Sequence, residues 1–120
     1  MDTVNCMRPL TNQERQLLSH LAEKLEEPAR SRLIADVQAA EVESASEDGS
    51  RLLFHINGYE RPPYKGQREF PVYATVRDAD GEHLSIALYA DQNDRLFELE
   101  FIRFAEGTLI SPDWSTLSVT

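Results

Sequence analysis

Apolar residues recur at helical spacing up to Val37, and from Ala39 onward the period falls to two between turn-forming residues. Helices first and strands afterwards predict an α+β fold, with two N-terminal helices packed on a mainly antiparallel sheet of about five strands. The chain has 120 residues, 41% of them hydrophobic and 28% charged. That fits a single domain over 1–120 that buries a core without disulfides. Residues 1–8 read as a loose end. So do residues 115–120, because Gly107, Pro112 and a Ser/Thr-rich tail follow the last clear alternation, although Leu109, Ile110 and Trp114 are apolar enough to dock on a sheet.

Thr11 and Glu14 stand three apart, the spacing of a capping box that satisfies orphan amides at a helix start. Leu17, Leu18, Leu21 and Leu25 then form one apolar stripe, which predicts a helix over Asn12 to Leu25. Pro28 fits the first turn of a second helix whose stripe is Leu33, Ile34 and Val37. Val42 opens a strand, Glu47 to Ser50 makes a turn, and Arg51 to Ile56 is the partner strand. Residues 57–67 contain Gly58, Pro62, Pro63 and Gly66, which mark an exposed loop. Three meandering strands follow: Phe70 to Val76, Leu84 to Leu88 after Asp80-Gly81, and Phe97 to Phe101 after Gln92-Asn93.

Charge is concentrated in the last of these elements. Between Asp78 and Glu100, seven carboxylates against one arginine account for six of the nine net negative charges. If Phe97, Leu99 and Phe101 point inward, Glu98 and Glu100 point outward, beside Tyr73, Thr75, Arg77, Ser85, Ala87 and Tyr89. Such a face, rimmed by Asp91 and Asp94, would attract a basic protein and repel nucleic acid. Nucleic-acid binding finds a rival signal in residues 57–70, where Tyr59, Tyr64 and Phe70 interleave with Arg61, Lys65 and Arg68. Glu60 and Glu69 cancel much of that local charge, so no nucleic-acid partner is expected.

Chemistry-bearing motifs are sparse. His20, His55 and His83 lie in different elements without metal-ligand spacing, and no GxSxG elbow presents a nucleophile. Asp78, Asp80 and Gly81 recur at hairpin offsets, not at those of a calcium loop. Glu98 and Glu100 share a strand face and cannot flank a sugar from opposite sides. Cys6 is the only cysteine, so the expected setting is reducing and its thiol incidental. Neither a signal peptide nor an apolar run of about 20 residues is present, so no membrane contact and a cytoplasmic location are expected. No metal, cofactor or catalytic residue is assigned.

The opening Arg8-Pro9-Leu10-Thr11 with Glu14 and Leu17-Leu18, and the segment Leu88 to Glu100, resemble a family of short bacterial proteins. That family opens on RPLT and ends on a VDQxGxLxELD-type hairpin; here Asn93-Asp94 and Glu100 depart from the pattern. More widely, the chain is similar to immunity proteins of polymorphic-toxin systems. That resemblance implies a small acidic α+β protein that neutralises a cognate, basic toxin domain by tight binding. Its expected contacts are Tyr73, Tyr89, Glu98 and Glu100 on the sheet, with Asp91 and Asp94 at the rim. The alternatives are a small carboxylate-dependent enzyme, or a structural or regulatory homodimer pairing through a sheet edge; homo-oligomerisation stays open.

Overall fold

Thr11 caps the first helix as its spacing requires. The Thr11 hydroxyl accepts from the Glu14 amide at 3.1 Å and the Glu14 carboxylate accepts from the Thr11 amide at 2.8 Å, which starts α1 at Asn12–Glu23. In this computed structural model, which describes residues 3–120 and side chains from Met7 onward, a second helix α2 spans Ala29–Gln38. The Cys6 side chain lies outside the described residues, as do residues 1 and 2 of the expected loose end.

Strands make up most of the remainder: β1 (Thr3–Pro9), β2 (Ala40–Ser46), β3 (Arg51–Ile56), β4 (Arg68–Glu69), β5 (Ala74–Asp78), β6 (His83–Ala90), β7 (Leu96–Arg103) and β8 (Pro112–Val119). Among the described residues they form one antiparallel sheet of eight strands in the order β1-β2-β3-β7-β6-β5-β8, with β4 on the end of β6. The α+β reading therefore holds, and the expectation of about five strands was too low. The two added edges account for most of the difference. Of the expected loose ends, 1–8 and 115–120, residues 3–8 belong to β1, which pairs with β2, and residues 115–119 belong to β8, which pairs with β5.

Both helices cover one face of this sheet. Leu17, Leu18, Leu21, Leu25, Leu33 and Val37 meet Val42, Phe54, Leu84, Leu88, Leu96 and Leu99 in one core, and Trp114, Leu117 and Val119 of β8 pack against its margin. Ile34 does not share the stripe of α2, being exposed; Asp36 is buried in its place. Leu21 is 1% exposed, so Leu21→Ala should lower the unfolding free energy by about 2–5 kcal/mol. Urea unfolding checks this, and a loss under about 1 kcal/mol would mean that the core closes over the missing methyls. No helix among the described residues is long and apolar enough to cross a membrane.

Candidate functional site

Three of the seven carboxylates of the acidic stretch, Asp78, Asp91 and Glu98, are buried, and the other four keep accessible surface. At the β6–β7 turn, Asp91 is buried with four donors around its carboxylate: the Asn93 and Arg95 amides at 2.8 and 3.0 Å, the Tyr59 hydroxyl at 2.7 Å and Arg61 Nη1 at 2.8 Å. Arg61 also donates to the carbonyls of Phe54 and Leu96 at 2.8 and 2.9 Å. It thereby bridges β3 and β7 beyond Leu53–Glu98, where their pairing stops. Arg95 grips Asp36 of α2 through Nε and Nη2 and lies 4.2 Å over the Tyr59 ring. The turn is thus tied to the helix layer and to the 57–67 loop at once.

Glu98 is also buried, contrary to its expected outward, solvated position. It does lie on the sheet face away from the helices, but one carboxylate oxygen accepts from Arg51 at 2.6 and 2.7 Å and the other from Gln67 at 3.0 Å. The inward set differs from the expected one. Tyr89 pairs with Glu98 and Ala90 with Leu96, so Phe97 is an extra residue in a bulge; Leu96, Leu99 and Phe101 face the core. Phe97 instead packs on Tyr64 at 5.9 Å and under Arg61 at 4.9 Å, which seats the loop over this part of the outer face.

Asp78 completes the pattern. Its buried carboxylate accepts from the amides of Ala79, Ile110 and Ser111 and from Arg103 at 2.9 Å, fastening the segment before β8 to the β5–β6 turn. Glu14 likewise takes both terminal nitrogens of Arg8 at 2.9 and 3.0 Å. Each of the buried carboxylates Glu14, Asp36, Asp78, Asp91 and Glu98 therefore holds an arginine. Removing one partner from such a pair leaves an uncompensated buried charge.

Four of the expected contact residues keep some accessible surface. Tyr73 is 70% exposed, while Tyr89 and Glu100 are half-buried. Asp94 is half-buried, sits in the left-handed conformation at φ 62°, and pairs with Arg32 and Arg68. Aspartate tolerates that conformation, so the turn forms without the glycine of the resembled pattern. Asp91 and Glu98 do not join this accessible set.

Strand register places further residues on the outer face. Ser118, Thr75, Ser85 and Ile102 lie side by side across β8, β5, β6 and β7, and Ala87, Glu100 and Arg51 form the next row toward β3. Of these, Thr75 and Ser118 are exposed and Ser85 is half-buried, whereas Ala87 is buried; Tyr73, just before β5, and Tyr89 of β6 neighbour them along the chain. Burial, then the charges of Glu100, Glu69 and Glu98, push the Tyr89 phenol up, so its hydroxyl remains a hydrogen-bond donor at neutral pH.

A family described as a domain of unknown function, DUF6984, matches residues 7–112. The chain belongs to this family. The matched segment of the DUF6984 chain contains all five arginine–carboxylate pairs and reaches the first residue of β8. No curated protein and no solved structure matches the chain.

On the outer face of this DUF6984 chain lies a groove of about 630 Å³. β2 contributes Glu43, β3 Leu53 and His55, β7 Phe97, and the loop Tyr59 to Pro62. Sequence reasoning did not find it, because its lining comes from four segments separated by up to 54 positions (Glu43 to Phe97). Among the described residues, no three His, Cys, Asp or Glu side chains converge in a way that could hold a metal ion.

The paired carboxylates give stability a definite pH dependence. Burial raises Asp91, but the Tyr59 hydroxyl, the Arg95 and Asn93 amides and the charge of Arg61 outweigh it and hold the group below its usual range. Asp78 is lowered in the same way by the Ser111, Ile110 and Ala79 amides and by Arg103, again against burial. Arg103 and the Glu82 amide hold Asp80 at about 2. Folded values below the unfolded one of about 3.9 mean that this stabilisation is complete above that value and is lost as pH falls through the folded values. Urea midpoints measured from pH 7 to pH 2 should stay level to about pH 4 and then decline. A level profile throughout would show no native advantage for these pairs.

Proposed function

We propose that this chain is an immunity-type binding protein that neutralises a cognate bacterial toxin domain in the cytoplasm by tight association. The reading is supported chiefly by the open outer face of the sheet. There Thr75, Ser85 and Ser118 keep accessible surface beside Tyr73 and Tyr89. An accessible surface of small polar side chains with aromatic anchors suits a protein partner. The pairs Arg51–Glu98 and Arg103–Asp78 tie β3, β7 and β5 together, so little ordering cost accompanies association. Resemblance to immunity proteins supplies the partner class, and the net charge of −9 favours a basic toxin by raising the association rate.

An enzyme built on the acidic hairpins is less well supported, since Asp78, Asp91 and Glu98 are each held by an arginine and by further donors. A homodimer would need a free strand edge, and β1 and β8 are the two edges of the sheet. Sedimentation of the purified chain separates that alternative from the binding reading.

Titration calorimetry with the toxin domain encoded beside this gene tests the proposal. Association at one-to-one stoichiometry is expected, with Tyr73→Ala and Tyr89→Ala each weakening it about ten- to thirty-fold. Tyr73→Ala should leave the melting temperature unchanged, because that side chain is largely exposed. Absence of association would remove the immunity reading.

A further inference from the structure

Most arginines of this chain are already engaged. Arg8, Arg51, Arg61, Arg95 and Arg103 hold buried carboxylates, and Arg32 and Arg68 share Asp94. The groove beside the 57–67 loop lies where that compensation runs out. Its lining includes Glu43 and Glu60, both exposed and, among the described residues, without an ion-pair partner. Arg61 is the only arginine or lysine in the lining, and it is turned to Asp91 and to the carbonyls of Phe54 and Leu96. Leu53 and Phe97 supply apolar surface in the same lining. At about 630 Å³ the groove can accommodate several side chains of an extended segment.

From this geometry we infer that the groove docks a basic, extended segment of a protein partner, placing an arginine or lysine between Glu43 and Glu60. The aliphatic stem of such a side chain lies along Leu53 and Phe97, and its cationic head meets two carboxylates that have no ion-pair partner among the described residues. An acidic or purely apolar segment would leave both carboxylates facing an unfavourable neighbour. The inference rests on the binding-protein reading and extends it by naming the chemistry of the segment recognised.

The test uses the full chain and two probes, an octapeptide of alternating arginine and glycine and its glutamate–glycine counterpart, followed by amide chemical shifts at low ionic strength. The arginine peptide should move the amides of Leu53, His55, Gly58, Tyr59 and Phe97, and the glutamate peptide should not. Glu43→Gln with Glu60→Gln should weaken the arginine peptide about ten-fold and leave the melting temperature unchanged, since both side chains are exposed. Shifts spread over acidic surface away from the groove, or equal affinity in the double variant, would overturn the inference. Titration of the neighbouring toxin separates the two readings. Association that is insensitive to the double variant removes the groove alone. Peptide docking without toxin association removes the immunity reading alone.

Discussion

Asp91→Ala is expected to lower the unfolding free energy by about 3–5 kcal/mol, the range for breaking a buried ion pair from one side. Truncation strands Arg61 between two strands and leaves the Tyr59 hydroxyl and the Asn93 and Arg95 amides without their acceptor. The damage should spread beyond the turn. Arg95, held in line by this turn, is also the partner of Asp36 on α2. Asp91→Asn keeps one carbonyl oxygen for part of the set and should fall between wild type and Asp91→Ala. Urea unfolding by circular dichroism measures all three proteins; a folded Asp91→Ala that loses under about 1 kcal/mol would mean that water replaces the carboxylate.

Charge reversal should act very differently at two glutamates on the same strand face. Glu98→Lys places a second cation against Arg51 at a site that is 1% exposed and leaves Gln67 facing an ammonium group. A loss of about 3 kcal/mol or more, or failure to fold, is expected. Glu100 is half-buried and lies across from Arg51 in register, so Glu100→Lys should cost no more than about 1 kcal/mol. Thermal melts of the two variants provide the comparison. Equal tolerance of both reversals would contradict the buried placement of Glu98.

Local signals in the chain specified much of the helix layer. Thr11 and Glu14 stand at the capping-box spacing, and the leucines of α1 are buried as their period requires. What escaped depends on contacts distant in sequence. Arg51 meets Glu98 across 47 positions and Arg95 meets Asp36 across 59, and no local pattern names such partners. Asp36 did carry a readable signal, being a carboxylate three residues after Leu33 and next to Val37 on an apolar stripe.

Strict alternation placed Glu98 on the correct face but with the wrong neighbours. It assumed an unbroken strand, whereas the bulge at Phe97 changes which residues precede it, and the 57–67 loop then covers the carboxylate. Strand β8 was obscured because its residues mix serine and threonine with Trp114, Leu117 and Val119, which pack only on the margin of the core. Tyr73, Tyr89 and Glu100 were legible as outward residues because β5, β6 and the second half of β7 keep the simple period.

The central claim divides labour on the outer face, with buried ion pairs such as Arg51–Glu98 fixing the fold and accessible residues such as Tyr73 meeting the proposed partner. A crossed measurement on Glu98→Gln and Tyr73→Ala tests it most directly, with urea stability and affinity for the proposed toxin partner determined on the same preparations. Glu98→Gln should lose stability and retain affinity wherever it is folded, whereas Tyr73→Ala should retain stability and lose affinity. The opposite assignment, with Glu98→Gln fully stable but unable to bind, would contradict the division.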